Sequence, residues 1–320
     1  MKKWMLLLGV WISFLSEIVA QDSLAFRKDK NVILNDSLLN SFYEKLSWLE
    51  KEEKGVVHIV HIGDSHIQAD FFTERVREMF CEENKFPLAA RGFVFPYKAA
   101  QSNNPLNYQI RTVGLWKGFR SVISHHQSRW GLAGITATTY DSTAELNLTL
   151  LSTKTCPTPF DKVHLFYQQD SLSYEPCFRL ENDSLLFPVR VENGVAIFQF
   201  PHERENLRLI FRKKNATQQQ FVLQGFLFTN TQRPGVVYSA SGANGAEFGT
   251  YFRCQDFFSQ LRQNEPSLVI VSLGTNDAHH LSFDSLTFAT NVRTFVTRLK
   301  EELEGVPILL TTPNDSKRKR

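Results

Sequence analysis

Gly63-Asp64-Ser65-His66 sets a hydroxyl, a carboxylate and an imidazole on neighbouring positions. The run follows a continuous apolar stretch, Val56 to Ile62, of the kind that forms a buried parallel strand. A serine at such a turn stands at the carboxyl edge of a sheet, where open α/β folds place their ligands. The helix that follows directs its free amides and positive end at charge developing nearby. The chemistry implied is attack by Ser65 on a carbonyl, with the resulting oxyanion held in place. Gly63 permits the tight turn, and Asp64 can brace it. Alone, the run reads equally well as a helix cap, because Asp and Ser are preferred there. The GxSxG elbow of α/β-hydrolases is absent.

Two further turns raise its weight. Gly242-Ala243-Asn244-Gly245 follows a short strand pattern at Gly235 to Ser239. Gly274-Thr275-Asn276-Asp277 follows another at Ser267 to Leu273. All three turns are expected at the carboxyl ends of strands, and so on one edge. The N–H of Ser65, the N–H of Gly245 and the side-chain amide of Asn276 would then form an oxyanion hole.

In these three turns the sequence resembles blocks I, II and III of the SGNH/GDSL hydrolase family. The longer run His61-Ile62-Gly63-Asp64-Ser65-His66-Ile67-Gln68-Ala69-Asp70 is similar to the subgroup containing peptidoglycan O-acetylesterases, in which a β-rich module interrupts the α/β domain. The resemblance implies Ser65 as nucleophile, with Gly245 and Asn276 as oxyanion donors. Gly242 is the alternative block II glycine. The substrate implied is an acetylated glycan or polysaccharide, cleaved without metal or other cofactor.

The family's fourth element, an Asp-x-x-His that supplies the general base and its orienting carboxylate, has no counterpart after Pro313. Such a base contributes about 10²- to 10⁴-fold in rate. The expectation is a chain truncated before its last catalytic block, with impaired hydrolysis. Asp277-Ala278-His279-His280 fits the pattern formally but lies inside block III. His279 and His280 therefore read as cleft-lining loop residues. His66 is expected to contact substrate or support its turn, and His58 and His61 to be packed within the first strand. His125, His126 and Trp130 read as structural, with sugar contact as the alternative.

The elements that must position these residues alternate. Leu39, Phe42, Leu46 and Leu49 repeat at helical spacing before the first strand, and Phe72, Val76, Met79 and Phe80 after it. Phe288, Val292, Phe295, Val296, Leu299 and Leu303 make a third stripe, capped by Asp284 and ended by Gly305, before a last strand at Val306 to Leu310. This pattern predicts an α/β fold, a three-layer doubly wound parallel sheet. The resemblance makes it flavodoxin-like and SGNH-type. From about Pro105 to Gln232 helical spacing gives way to short strand patterns: 134–140, 162–167, 195–200, 206–211 and 220–228. Ten of the 27 phenylalanines lie between Phe160 and Phe228, enough for a core between two sheets. The expected plan is an inserted β-sandwich domain at 105–232 between hydrolase segments 21–104 and 233–320.

Residues 1–20 read as an export signal: Lys2 and Lys3, an apolar stretch from Trp4 to Leu15, and a cut ahead of Gln21. That stretch is too short to span a bilayer, so the expected location is periplasmic or secreted, with no stable membrane insertion. A net charge of +3, with no basic stripe, gives no ground for a nucleic-acid partner. Of the four cysteines, Cys156 and Cys177 are the favoured pair, with Cys81 and Cys254 as buried thiols. Two other readings keep the same residues: a glycan-binding remnant without catalysis, and an acyltransferase using Ser65.

Overall fold

Val56–Gly63 (β1) is buried at every position after the first, as a continuous apolar run requires of a central parallel strand. It belongs to a computed structural model describing residues 32–82, 86–153 and 155–313; the expected export signal lies outside the described residues. Residues 32–40 carry one 3-10 turn, Asp36–Leu39. The remainder, from Ser41, clusters as a second compact unit, and all that follows concerns it.

After β1 come two helices, Ser65–Ala69 (α1) and Phe71–Glu82 (α2), and the three-residue strand Leu88–Ala90 (β2). Gly92–Val94 (β3) opens a long antiparallel section. The chain returns at Gly235–Gly242 (β4), Leu268–Ser272 (β5) and Ile308–Leu310 (β6). The parallel sheet has the order β6-β5-β1-β4-β2. Setting aside the short edge strand β2, β4-β1-β5-β6 reads 2-1-3-4 in chain order, the start of a doubly wound sheet. The chain leaves β1 towards β4 on one side and comes back to β5 on the other. The end of β1 is therefore the topological switch point. The helix Ser285–Glu302 (α3) covers the sheet with Phe295 and Leu299 buried, and Asp284 caps it by accepting from the N–H groups of Leu286 and Thr287.

From β3 up to β4 the chain forms two antiparallel sheets, of five and seven strands, β3 being one of the seven. Phe178 meets Phe198 across them with ring centroids 4.4 Å apart, and Phe211 meets Phe221 at 4.5 Å. One continuous core runs from Val60 and Ile62 of β1 through Phe93 into these phenylalanines. Pairing of Phe226 with Val94 brings residues 92–94, upstream of position 105, into the antiparallel layer.

Two expectations are overturned. The disulfide joins Cys81 to Cys156, and Cys177 and Cys254 are buried thiols. Cys177 is fully enclosed on its strand, donating to the Ile210 carbonyl, whereas Cys156 lies in the loop beside the end of α2. The apolar stripe expected on α2 also faces the wrong way. Thr73 and Arg77 are the buried residues, while Phe72 and Met79 are exposed. Arg77 donates to Asp70 at 2.5 Å and to the Tyr238 carbonyl at 3.1 Å, so its charge is neutralised where it is buried. Arg91 is the second partner of Asp70, and Asn107 the third at 2.8 Å. Burial alone would raise the pKa of Asp70; Arg77 and Arg91 outweigh it and hold the carboxyl at about 2.

Candidate active site

Gly63, at the end of β1, pairs with Gly242 on one side and Ser272 on the other. Three strands thus end level, and the loops that leave them must meet. Ser65 is the first residue of α1, half-exposed. Asp64 caps that helix by accepting from the His66 N–H at 3.0 Å, and lies 3.0 Å from Nδ1 of the His66 ring. Asn276 Nδ2 donates to the Ala246 carbonyl at 2.9 Å and reaches Asp64 Oδ2 at 3.4 Å. One amide group therefore touches the neighbour of Ser65 and the neighbour of Gly245. The structure brings all three predicted turns together.

Their donors are in different states. The N–H of Ser65 lies at the first helical position and has no intrahelical acceptor. Gly245 is exposed at φ 82°, and its N–H has no acceptor among the described residues. Asn276 is instead occupied in holding the other two loops. The two block II glycines differ in kind. A Cβ on Gly242 would sit 2.4 Å from the Gln68 nitrogen and 2.5 Å from the Asp64 carbonyl oxygen, so this glycine lets β4 press against α1. A Cβ on Gly245 would meet nothing within 4 Å.

Supports not recognised in the sequence surround these loops. Gln68, buried, accepts from the Asn244 N–H at 2.8 Å and donates to Ser102 Oγ and the Asn103 carbonyl at 2.9 Å. Tyr251 donates to the Gly63 carbonyl and Tyr97 to the Gly242 carbonyl, both at 2.7 Å. The available signal was spacing: Gln68 stands three residues after Ser65, on the same face of a helix.

His58 and His61 are packed as expected, whereas His279 ends the helix Thr275–His279 and is exposed, as is His280. His58 bonds Ser239 Oγ at 2.8 Å. His61 bonds the Tyr238 hydroxyl and Ser272 Oγ. Burial drives both to pKa values of about 3, so they are neutral. His280 pairs with Glu247 at 2.7 Å, and that carboxylate raises its pKa. His126 accepts from the Arg120 N–H at 3.0 Å, and buried Trp130 donates to the Phe119 carbonyl at 3.1 Å. Among the described residues no histidine is hydrogen-bonded to Ser65. A cavity of about 250 Å³ is lined by Asp64 and His66, the neighbours of Ser65 and not Ser65 itself, and by Phe72, Ser272 and Thr311 to Pro313.

No family model matches the chain, and no curated protein matches it. Among solved structures, a peptidoglycan O-acetylesterase aligns with a TM-score of 0.64 at 22% identity, over 84% of this chain and 71% of that one. A family two carbohydrate esterase from Cellvibrio japonicus gives only 0.23 at 13% identity, over 66% of this chain and 81% of that one. At such identities the likeness concerns fold alone: this chain, a parallel α/β sheet joined to antiparallel sheets, is similar in fold to a peptidoglycan O-acetylesterase.

Proposed function

We propose that this protein is an exported SGNH-type serine esterase, removing O-acetyl groups from cell-wall glycan in the periplasm or outside the cell. In this reading the parallel sheet is the hydrolase domain and the antiparallel sheets are its inserted β-sandwich. The observation that carries the reading is Asn276, whose single amide joins the turns bearing Ser65 and Gly245. Ser65 Oγ attacks the acetyl carbonyl carbon and loses its proton to a base. The oxyanion rests on the N–H groups of Ser65 and Gly245, with Asn276 turning one N–H from its long contact with Asp64. The carbonyl–oxygen bond to the sugar breaks as the sugar oxygen takes up the proton. Water then cleaves the acyl-serine and releases acetate. The Cys81–Cys156 bond suits an oxidising compartment.

No hydrogen-bonded base accompanies Ser65 among the described residues, and this favours a second reading in which the chain binds glycan without cleaving it. Acetate release from O-acetylated peptidoglycan, compared between the wild type and Ser65→Ala, separates the two. The esterase reading expects acetate release by the wild type above the uncatalysed background and its loss in Ser65→Ala. Equal release by both proteins, with capture of the glycan by both, would establish the second reading instead.

A further inference from the structure

The five-stranded antiparallel sheet contains Tyr108–Val113, Glu145–Leu150 and Asn206–Arg212 side by side. Its inward positions are apolar: Ile110, Leu148 and Leu207 are buried. The alternate positions turn away from that core. There the register aligns Arg111, Asn147 and Arg208 in one row across three strands, and Gln109, Thr149 and Asn206 in the next. These rows floor a cavity of about 620 Å³, whose walls include Arg179, Arg204, Glu181 and Asp183. Adjacent strands are about 4.8 Å apart, so Arg111 and Arg208 stand roughly 10 Å from each other.

The charges are unevenly satisfied. Arg208 is held by Glu145 through bonds of 3.0 and 2.9 Å, and Arg179 lies 3.8 Å from Asp183. Arg111 and Arg204 have no carboxylate partner among the described residues. The Nε atoms of Arg179 and Arg204 are buried with no hydrogen-bond acceptor among them. The buried Nε atoms are closed to a ligand, so recognition falls to the outer guanidinium nitrogens, and a guanidinium selects carboxylate oxygens. Among the described residues no aromatic ring lines the cavity, so they offer a neutral sugar no stacking platform. The three carboxylates repel a densely charged polyanion such as nucleic acid. A sparsely charged polymer rich in hydroxyl and amide groups satisfies both constraints.

We infer that this groove is a second binding site, for a glycan strand bearing carboxylates, with Arg111 and Arg204 taking the carboxylates and the Asn, Gln and Thr rows taking the sugar's polar groups. The inference takes its polymer class from the esterase reading. The probe is peptide-free strands of alternating N-acetylglucosamine and N-acetylmuramic acid, titrated into the full chain. Arg111→Glu, on an exposed strand position, should weaken binding by about tenfold or more without altering the circular dichroism spectrum. The same strands with carboxylates converted to amides should bind as weakly to the wild type. Equal affinity of Arg111→Glu, equal affinity of amidated strands, or equally tight binding of single-stranded DNA would overturn the inference. Ser65→Ala should bind like the wild type, whereas a small acetyl ester should be cleaved equally by the wild type and Arg111→Glu. Strand binding lost in Arg111→Glu with ester cleavage kept is the result the inference expects, and ester cleavage absent from the wild type with strand binding kept removes the esterase reading and leaves the groove standing.

Discussion

Asp277 shows how far one side chain's chemistry can depart from its sequence context. Its carboxylate is buried next to Asn276, and Oδ2 has no partner among the described residues. Burial, then the charge of Glu247, raises its pKa from 3.8 to about 6. A folded-state pKa above the unfolded value means the folded protein binds the proton more tightly. Stability from this group is therefore full below about pH 4 and declines as pH rises towards 6. Asp277→Asn should accordingly have a higher melting temperature than the wild type at pH 8, and the gap should close near pH 4. Thermal scans across that range check this; a gap independent of pH would refute it. The meeting of the turns that carry Ser65, Gly245 and Asn276 was legible because each follows a strand in a short polar run. The state of Asp277 was not, because Glu247 and the burial come from a different loop.

At the scale of elements, α1 does more than present a serine. Gln68 ties it to the Asn244 N–H on one side and to residues 102 and 103 on the other. Gln68→Ala leaves buried backbone groups unpaired, a loss of about 1–3 kcal/mol in stability. It should also lower Ser65-dependent turnover more than substrate affinity, since the amide beside Asn244 belongs to Gly245. Gln68→Glu keeps the acceptor for Asn244 and loses both donated bonds. Its turnover should lie between those of the wild type and Gln68→Ala, and turnover equal in all three would remove the positioning role. The strands of the parallel sheet were readable because burial on both faces leaves an unbroken apolar run, as in Val56 to Ile62. The burial of α2 was not. Its inward face is polar because Arg77 is neutralised by Asp70, and apolar spacing pointed to Phe72 and Met79 instead. Glu145–Leu150 alternates Leu with polar residues and went unread, although that alternation is what floors the groove.

Across the whole molecule, the bond between Cys81 and Cys156 straps a helix of the parallel layer to a loop of the antiparallel one. It closes a loop with a sequence separation of 75. Chain entropy then assigns it about 4 kcal/mol. Replacing both cysteines by serine should lower the melting temperature by several degrees, and an unchanged midpoint would show the strap to be idle. The pairing was unreadable because four cysteines permit three connectivities, and proximity in sequence favoured a partner that lies on a different strand. The layers are also joined more directly. Only Arg91 separates β2, in the parallel sheet, from β3, in the antiparallel one, and Gly92 passes so near Ser239 that a Cβ would lie within 2.5 Å of its oxygen. The two layers also share one continuous core. On the proposed reading, with the turn of Ser65 in one layer and the groove in the other, a strand long enough to occupy both should bind more tightly than its own short fragments.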